Sequence, residues 1–180
     1  MRIKSMILKA LISSVLASVV TLIATLLINI ILVPDTLAAQ QTVAVILSVV
    51  SSSSFSVLLV YLFHIYNANG EGEVWEDYPE EYCGPVRDLP LVIKKEYKTL
   101  LFILAISFFN LILMILNRTL INSNIINVIN GLFVSVSSLS LIFLNNLPQQ
   151  AIGYICGSIF TCFCYVIIFT AFRWKWRRFM

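Results

Sequence analysis

Apolar positions in this chain come in long unbroken runs, and polar residues gather in the gaps between them. The runs are Ala10 to Val33, Thr42 to Tyr66, Thr99 to Leu116, Leu120 to Leu147 and Ala151 to Phe172. Neither the alternation of a half-buried strand nor the one-sided stripe of a surface helix describes them. Each is close to the length of about 20 residues that an α-helix needs to cross a bilayer. Pro34 stops the first run and Asp35-Thr36 offers a cap for the next helix. Pro148 with Gln149-Gln150 reads as the turn before the last run. The pattern predicts an all-α integral membrane protein, a single membrane domain of five transmembrane helices with spans near 8–33, 42–66, 98–117, 120–147 and 151–173. The alternative is four spans with a re-entrant segment at about 120–147.

Small residues recur at helical spacing within the runs. Ala44, Ser48, Ser52 and Ser56 follow each other at intervals of four, and so do Gly153, Gly157 and Thr161. Such stripes let two membrane helices approach closely. Serine is tolerated there because its hydroxyl bonds back to the carbonyl one turn earlier. In the fourth run Asn124, Asn127, Gly131, Ser135 and Ser138 fall within one narrow sector. An all-polar stripe faces protein or water, not lipid. It therefore either holds helices together or lines a polar path for an uncharged solute.

The one long hydrophilic stretch, 67–97, divides the chain. Asn69-Gly70 and Cys83-Gly84-Pro85 mark turns in it. It carries Glu71, Glu73, Trp75, Glu76, Asp77, Tyr78, Glu80, Glu81 and Tyr82. A divalent cation would accept the oxygens of these acids, but they lack EF-hand spacing. The aromatic members set the stretch apart from a merely solvated loop, and it is a candidate docking loop. From Asp88 on, Leu89, Val92, Ile93 and Tyr97 share one face with Lys94, Lys95 and Lys98 largely opposite. This predicts a short interfacial helix capped by Asp88 and leading into the third span.

Composition agrees with the pattern. Apolar residues make up 59% and charged residues 12%, against about 45–50% and 25% in soluble domains. Basic residues sit at the run ends, and Arg173 to Arg178 alternate with Trp174 and Trp176. They read as headgroup anchors in contact with the lipid bilayer, not as a nucleic-acid surface. A basic start before an apolar run also describes a signal peptide, but this run exceeds the usual 7–15 residues, so it reads as an uncleaved first span. The positive-inside rule puts the N-terminus and central loop on the cytoplasmic side of the cell membrane. Five spans leave the basic tail outside, whereas four return every Lys and Arg except Arg118 to the cytoplasm.

Candidate chemistry is sparse. No Asp, Glu, Lys or Arg lies inside the runs, and His64 stands near the end of one. Cys83, Cys156, Cys162 and Cys164 show no metal-ligand spacing, and they read as small apolar side chains. Asn117-Arg118-Thr119 matches the common glycosylation triplet. No catalytic residue, metal or cofactor is expected. The first expectation is a non-enzymatic accessory, assembly or scaffold component that associates with another membrane protein or with itself. The alternative is a small oligomeric channel or facilitator for an uncharged solute.

Overall fold

The computed structural model describes residues 3–32, 37–65, 89–121, 123–126, 130 and 147–177. Helix α1 is Ile3–Leu32, α2 is Leu37–Val60, α3 is Leu89–Lys95, α4 is Tyr97–Leu116 and α5 is Leu147–Arg177. Single π-helical turns, Tyr61–Ile65 and Asn117–Ile121, extend α2 and α4. The described residues contain no strand. Four helices are long and apolar enough to cross a membrane, over Ile7–Ile28, Ala39–Phe63, Tyr97–Leu120 and Ala151–Phe172. At about 1.5 Å per residue each exceeds the roughly 30 Å of a hydrocarbon core.

Two boundaries differ from the sequence expectation. Pro148 and Gln149-Gln150 do not form a turn before α5; they are already helical within its first turn. A proline is tolerated there because the first amides of a helix have no intrahelical acceptor, so nothing is lost by lacking one. The third run does not stop at Asn117, since the backbone stays helical to Ile121. Of the expected fourth span, 120–147, only Leu120, Ile121, 123–126, Asn130 and Leu147 are described.

Helix order across the bundle differs from order along the chain. α1 packs on α2, α2 on α5, and α5 on α4. α4 and α5 are antiparallel, with Glu96 facing Tyr165, Leu100 facing Cys162 and Ser107 facing Tyr154. At the far end Leu111 and Met114 pack with Tyr154, and Ile115 and Ala151 join them. α1 and α2 are also antiparallel: the Lys9 ammonium stands 5.8 Å from the centre of the Phe63 ring. The main core gathers the N-terminal part of α1, the C-terminal half of α2, α3, the start of α4 and the C-terminal half of α5. Its members include Ala10, Phe55, Leu59, Phe63, Val92, Ile103, Tyr165 and Phe169. α2 and α5 therefore run in the same direction.

Burial follows that order. In α2 and α5, 44% of each apolar span is buried, against 17% in α1. Leu22, Leu26, Leu27 and Ile30 of α1 all project outward. α1 makes its one extensive contact with α2 and leaves the rest of its apolar circumference uncovered.

Candidate functional site

The seam between α2 and α5 is built from small side chains. Ser48, Ser52 and Ser56 of α2 and Gly153, Gly157 and Thr161 of α5 are buried, and Ala44 is half-buried. The Ser48 and Ser56 hydroxyls donate to the carbonyls of Ala44 and Ser52, at 2.8 Å each. The Thr161 hydroxyl lies 2.9 Å from the Gly157 carbonyl and 3.1 Å from Ser52 Oγ, so its single proton serves two acceptors. Ser56 Oγ also comes within 3.4 Å of the Thr161 carbonyl. A side chain as short as serine reaches a backbone oxygen on the other helix only when the two backbones are close. These hydroxyls satisfy themselves locally and leave no proton-transfer group exposed.

A second polar group lies where α3 meets α4. Glu96 breaks the helix between them, with φ −88° and ψ 10°. Its amide still donates to the Val92 carbonyl at 2.7 Å, and its carbonyl accepts from the Leu100 amide at 3.0 Å. The side chain makes no capping bond to the first amides of α4. Instead Oε2 accepts the hydroxyls of Thr99 and Tyr165, each at 3.0 Å. Tyr165 is fully buried and stacks on Phe169, with ring centres 6.1 Å apart. A buried phenol needs an acceptor, and this one finds a half-buried carboxylate 69 residues away in sequence. The pairing ties the start of α4 to α5.

Below this junction α4 carries a buried polar file: Thr99, Ser107, Asn110 and Asn117. At 100° per residue these positions fall within a sector of about 80°. Asn117 Oδ1 accepts the Ser123 amide at 2.7 Å, and the side chain is buried. A buried, bonded amide is not presented as a glycan acceptor. Ser107 Oγ reaches toward the Tyr154 carbonyl at 3.5 Å. Asn110 differs from both. It is fully buried in the middle of α4, and neither Nδ2 nor Oδ1 has a partner. An amide so placed costs about 1–3 kcal/mol relative to a bonded one.

Sequence reasoning passed over Glu96, Asn110 and Tyr165. Glu96 counted among the acids of the hydrophilic stretch. Asn110 and Tyr165 were isolated polar residues inside apolar runs, without a periodic pattern to raise them. An isolated amide within a charge-free span was the available signal.

The other expected positions are distributed as follows. Asn124 is exposed in a single helical turn, and Asn130 has a buried, unpartnered Oδ1. Asn127, Gly131, Ser135 and Ser138 lie outside the described residues. So do Asp88 and the docking-loop positions Glu71, Glu73, Trp75, Glu76, Asp77, Tyr78, Glu80, Glu81 and Tyr82. In α3, Leu89 and Val92 pack inward, but Ile93 and Tyr97 do not share their face, being 49% and 50% exposed. Tyr97 lies about 140° around a regular helix from Val92, so the sector that buries Val92 does not include it.

An open groove of about 440 Å³ runs along one side of α4 and α5, lined by Leu101, Leu104, Phe108, Leu111 and Ile155 among others. Its two serine hydroxyls are already committed, Ser107 to the Tyr154 carbonyl and Ser158 to the Ile155 carbonyl. With most of its lining apolar, the groove offers mainly shape and apolar contact. Among the described residues, no three His, Cys, Asp or Glu side chains converge as metal ligands would. Compared with protein-family models, with curated proteins and with solved structures, the chain matches none.

Proposed function

We propose that this chain is a multi-pass membrane protein that acts as a non-enzymatic assembly or scaffold component, with its hydrophilic face at one end of the bundle as the docking surface. The observation that carries the reading is the antiparallel register of α4 and α5. It puts Ile121 and Leu147 at one end and returns the chain through α5 to the end where α4 began. The segment between them then starts and finishes on the same side, which supports four complete crossings over five. With four crossings the N-terminus, the 67–97 stretch and the tail all belong to one side. Every Lys and Arg except Arg118 is then on that side, which the positive-inside rule makes cytoplasmic. Among the described residues the spans are poor in charge, and many of their hydroxyls, such as those of Ser48, Ser56, Thr161 and Thr170, bond to backbone carbonyls one turn earlier. Hydrophilic surface is thus concentrated where a soluble or membrane-anchored partner would meet it.

Deleting Glu71–Glu81 tests this reading. The variant is expected to insert and remain folded while losing a companion that co-purifies with the full chain in mild detergent. Retention of the same companion at full stoichiometry would refute the docking role of the loop.

The unpartnered amide of Asn110 favours a second reading, a facilitator for an uncharged solute. In that case the buried file on α4, and not the 124–138 stripe alone, contributes the polar lining.

A further inference from the structure

Two basic segments that are far apart in sequence, 94–98 and 173–177, lie on elements that meet at one end of the bundle. α3 packs against both α5 and α4. Leu89, Leu91 and Val92 join the core beside Phe169 and Phe172, near the end of the apolar part of α5. From Phe172 the α5 backbone stays helical to Arg177. At about 1.5 Å per residue it extends roughly 8 Å further. That extension carries Arg173, Trp174, Lys175, Trp176 and Arg177. On α3 and the first turn of α4, Lys94, Lys95 and Lys98 are exposed. Contact between α3 and α5 therefore brings two basic segments together at the level where the apolar spans α4 and α5 end.

We propose that α3 and the C-terminal extension of α5 together form one binding surface for the headgroups of anionic phospholipids. Charge complementarity is the first argument, since both contributing segments are basic and neither includes an acid other than Glu96. The second is the company these bases keep. Ile93 and Tyr97 stand half-exposed among the lysines, and Trp174 and Trp176 alternate with the tail bases. Exposed aliphatic and aromatic groups mixed with cations suit the headgroup–acyl boundary, where one part of the surface is wet and the next is not. A purely aqueous acidic partner would gain nothing from Ile93. The third argument is orientation. α3 packs on α5 and α4 with Val92 buried, which leaves Ile93, Lys94 and Lys95 on its exposed side. The bond from Tyr165 to Glu96 holds that junction in place.

Native mass spectrometry of the purified full chain, titrated with phosphatidylglycerol or phosphatidylcholine in neutral detergent, tests the surface. Each base near an anionic surface contributes about 1 kcal/mol, or about fivefold. The combined variant Lys94→Gln, Lys95→Gln and Lys98→Gln is expected to weaken phosphatidylglycerol retention on the order of a hundredfold. Arg173→Gln, Lys175→Gln and Arg177→Gln should act to a similar degree, while phosphatidylcholine retention stays unchanged. The altered side chains of α3 are exposed, so an unchanged melting temperature in lipid-free detergent serves as the folding control. Equal retention of both lipids by the unaltered chain would overturn the proposal. So would a triple lysine variant that retains phosphatidylglycerol normally. Binding seen only after deletion of Glu71–Glu81 would also overturn it, making the chain's own acidic loop the occupant.

Discussion

Enlarging Thr161 should loosen the α2–α5 seam, and a short substitution series separates steric effects from hydrogen bonding. Thr161 is fully buried, and its hydroxyl lies 3.1 Å from Ser52 Oγ while Ser56 Oγ is 3.4 Å from its carbonyl. A longer side chain at this position meets α2 directly. Thr161→Val preserves shape and removes only the hydroxyl, which already shares its proton with the Gly157 carbonyl on its own helix. Interhelical polar contacts in membranes average about 0.6 kcal/mol, so the valine variant should lose about that much. Thr161→Leu adds volume against Ser52 and should cost about 1–3 kcal/mol more through overpacking. The total of about 1.6–3.6 kcal/mol is a change of between one and three orders of magnitude in the folding equilibrium. Ile159→Leu, two residues away and 59% exposed, is the control and should have little effect. Unfolding of the purified protein by graded sodium dodecyl sulfate, followed by tryptophan fluorescence, reads the series. A leucine variant within about 0.5 kcal/mol of the unaltered chain would refute close backbone approach at this seam. Equal losses for valine and leucine would refute the steric argument and leave the hydroxyl as the whole effect.

Two further outcomes follow from the same coordinates. Asn110→Leu should raise stability by about 1–2 kcal/mol in the detergent titration, because it removes a buried amide with unmet hydrogen bonds; a loss of stability would show that the amide has a partner, and lost flux in liposomes would favour the facilitator reading. Cys83 should be protected from an impermeant thiol reagent in intact cells and react after permeabilisation, and an epitope tag after Met180 should likewise be detected only after permeabilisation. A tag on the opposite face would restore five crossings and remove the basis of the one-sided docking surface.

The long apolar runs, the break between them at the hydrophilic stretch and the fourfold recurrence of small residues are readable without coordinates. They depend on local properties: hydropathy summed over a window and the 3.6-residue helical period. The same local reasoning misplaced Pro148 and Tyr97. For Pro148 the deciding fact was where the helix had begun, which turn propensity alone does not specify; for Tyr97 it was that only the sector around Val92 is covered by neighbouring helices. It also left the pairing of the helices open, because a stripe of small residues specifies a close neighbour without specifying which one.

Hydropathy and spacing determined that the chain forms long helices with little soluble mass. Tertiary structure decided that α5 inserts between α2 and α4, and that Thr161 meets Ser52 across 109 positions of sequence. It also decided that α4 and α5 run in opposite directions and that Tyr165 finds Glu96. In an apolar surrounding there is little hydrophobic drive to choose among helix partners, so shape fit and a few polar contacts make the choice. Those contacts join residues that only the folded chain brings within reach.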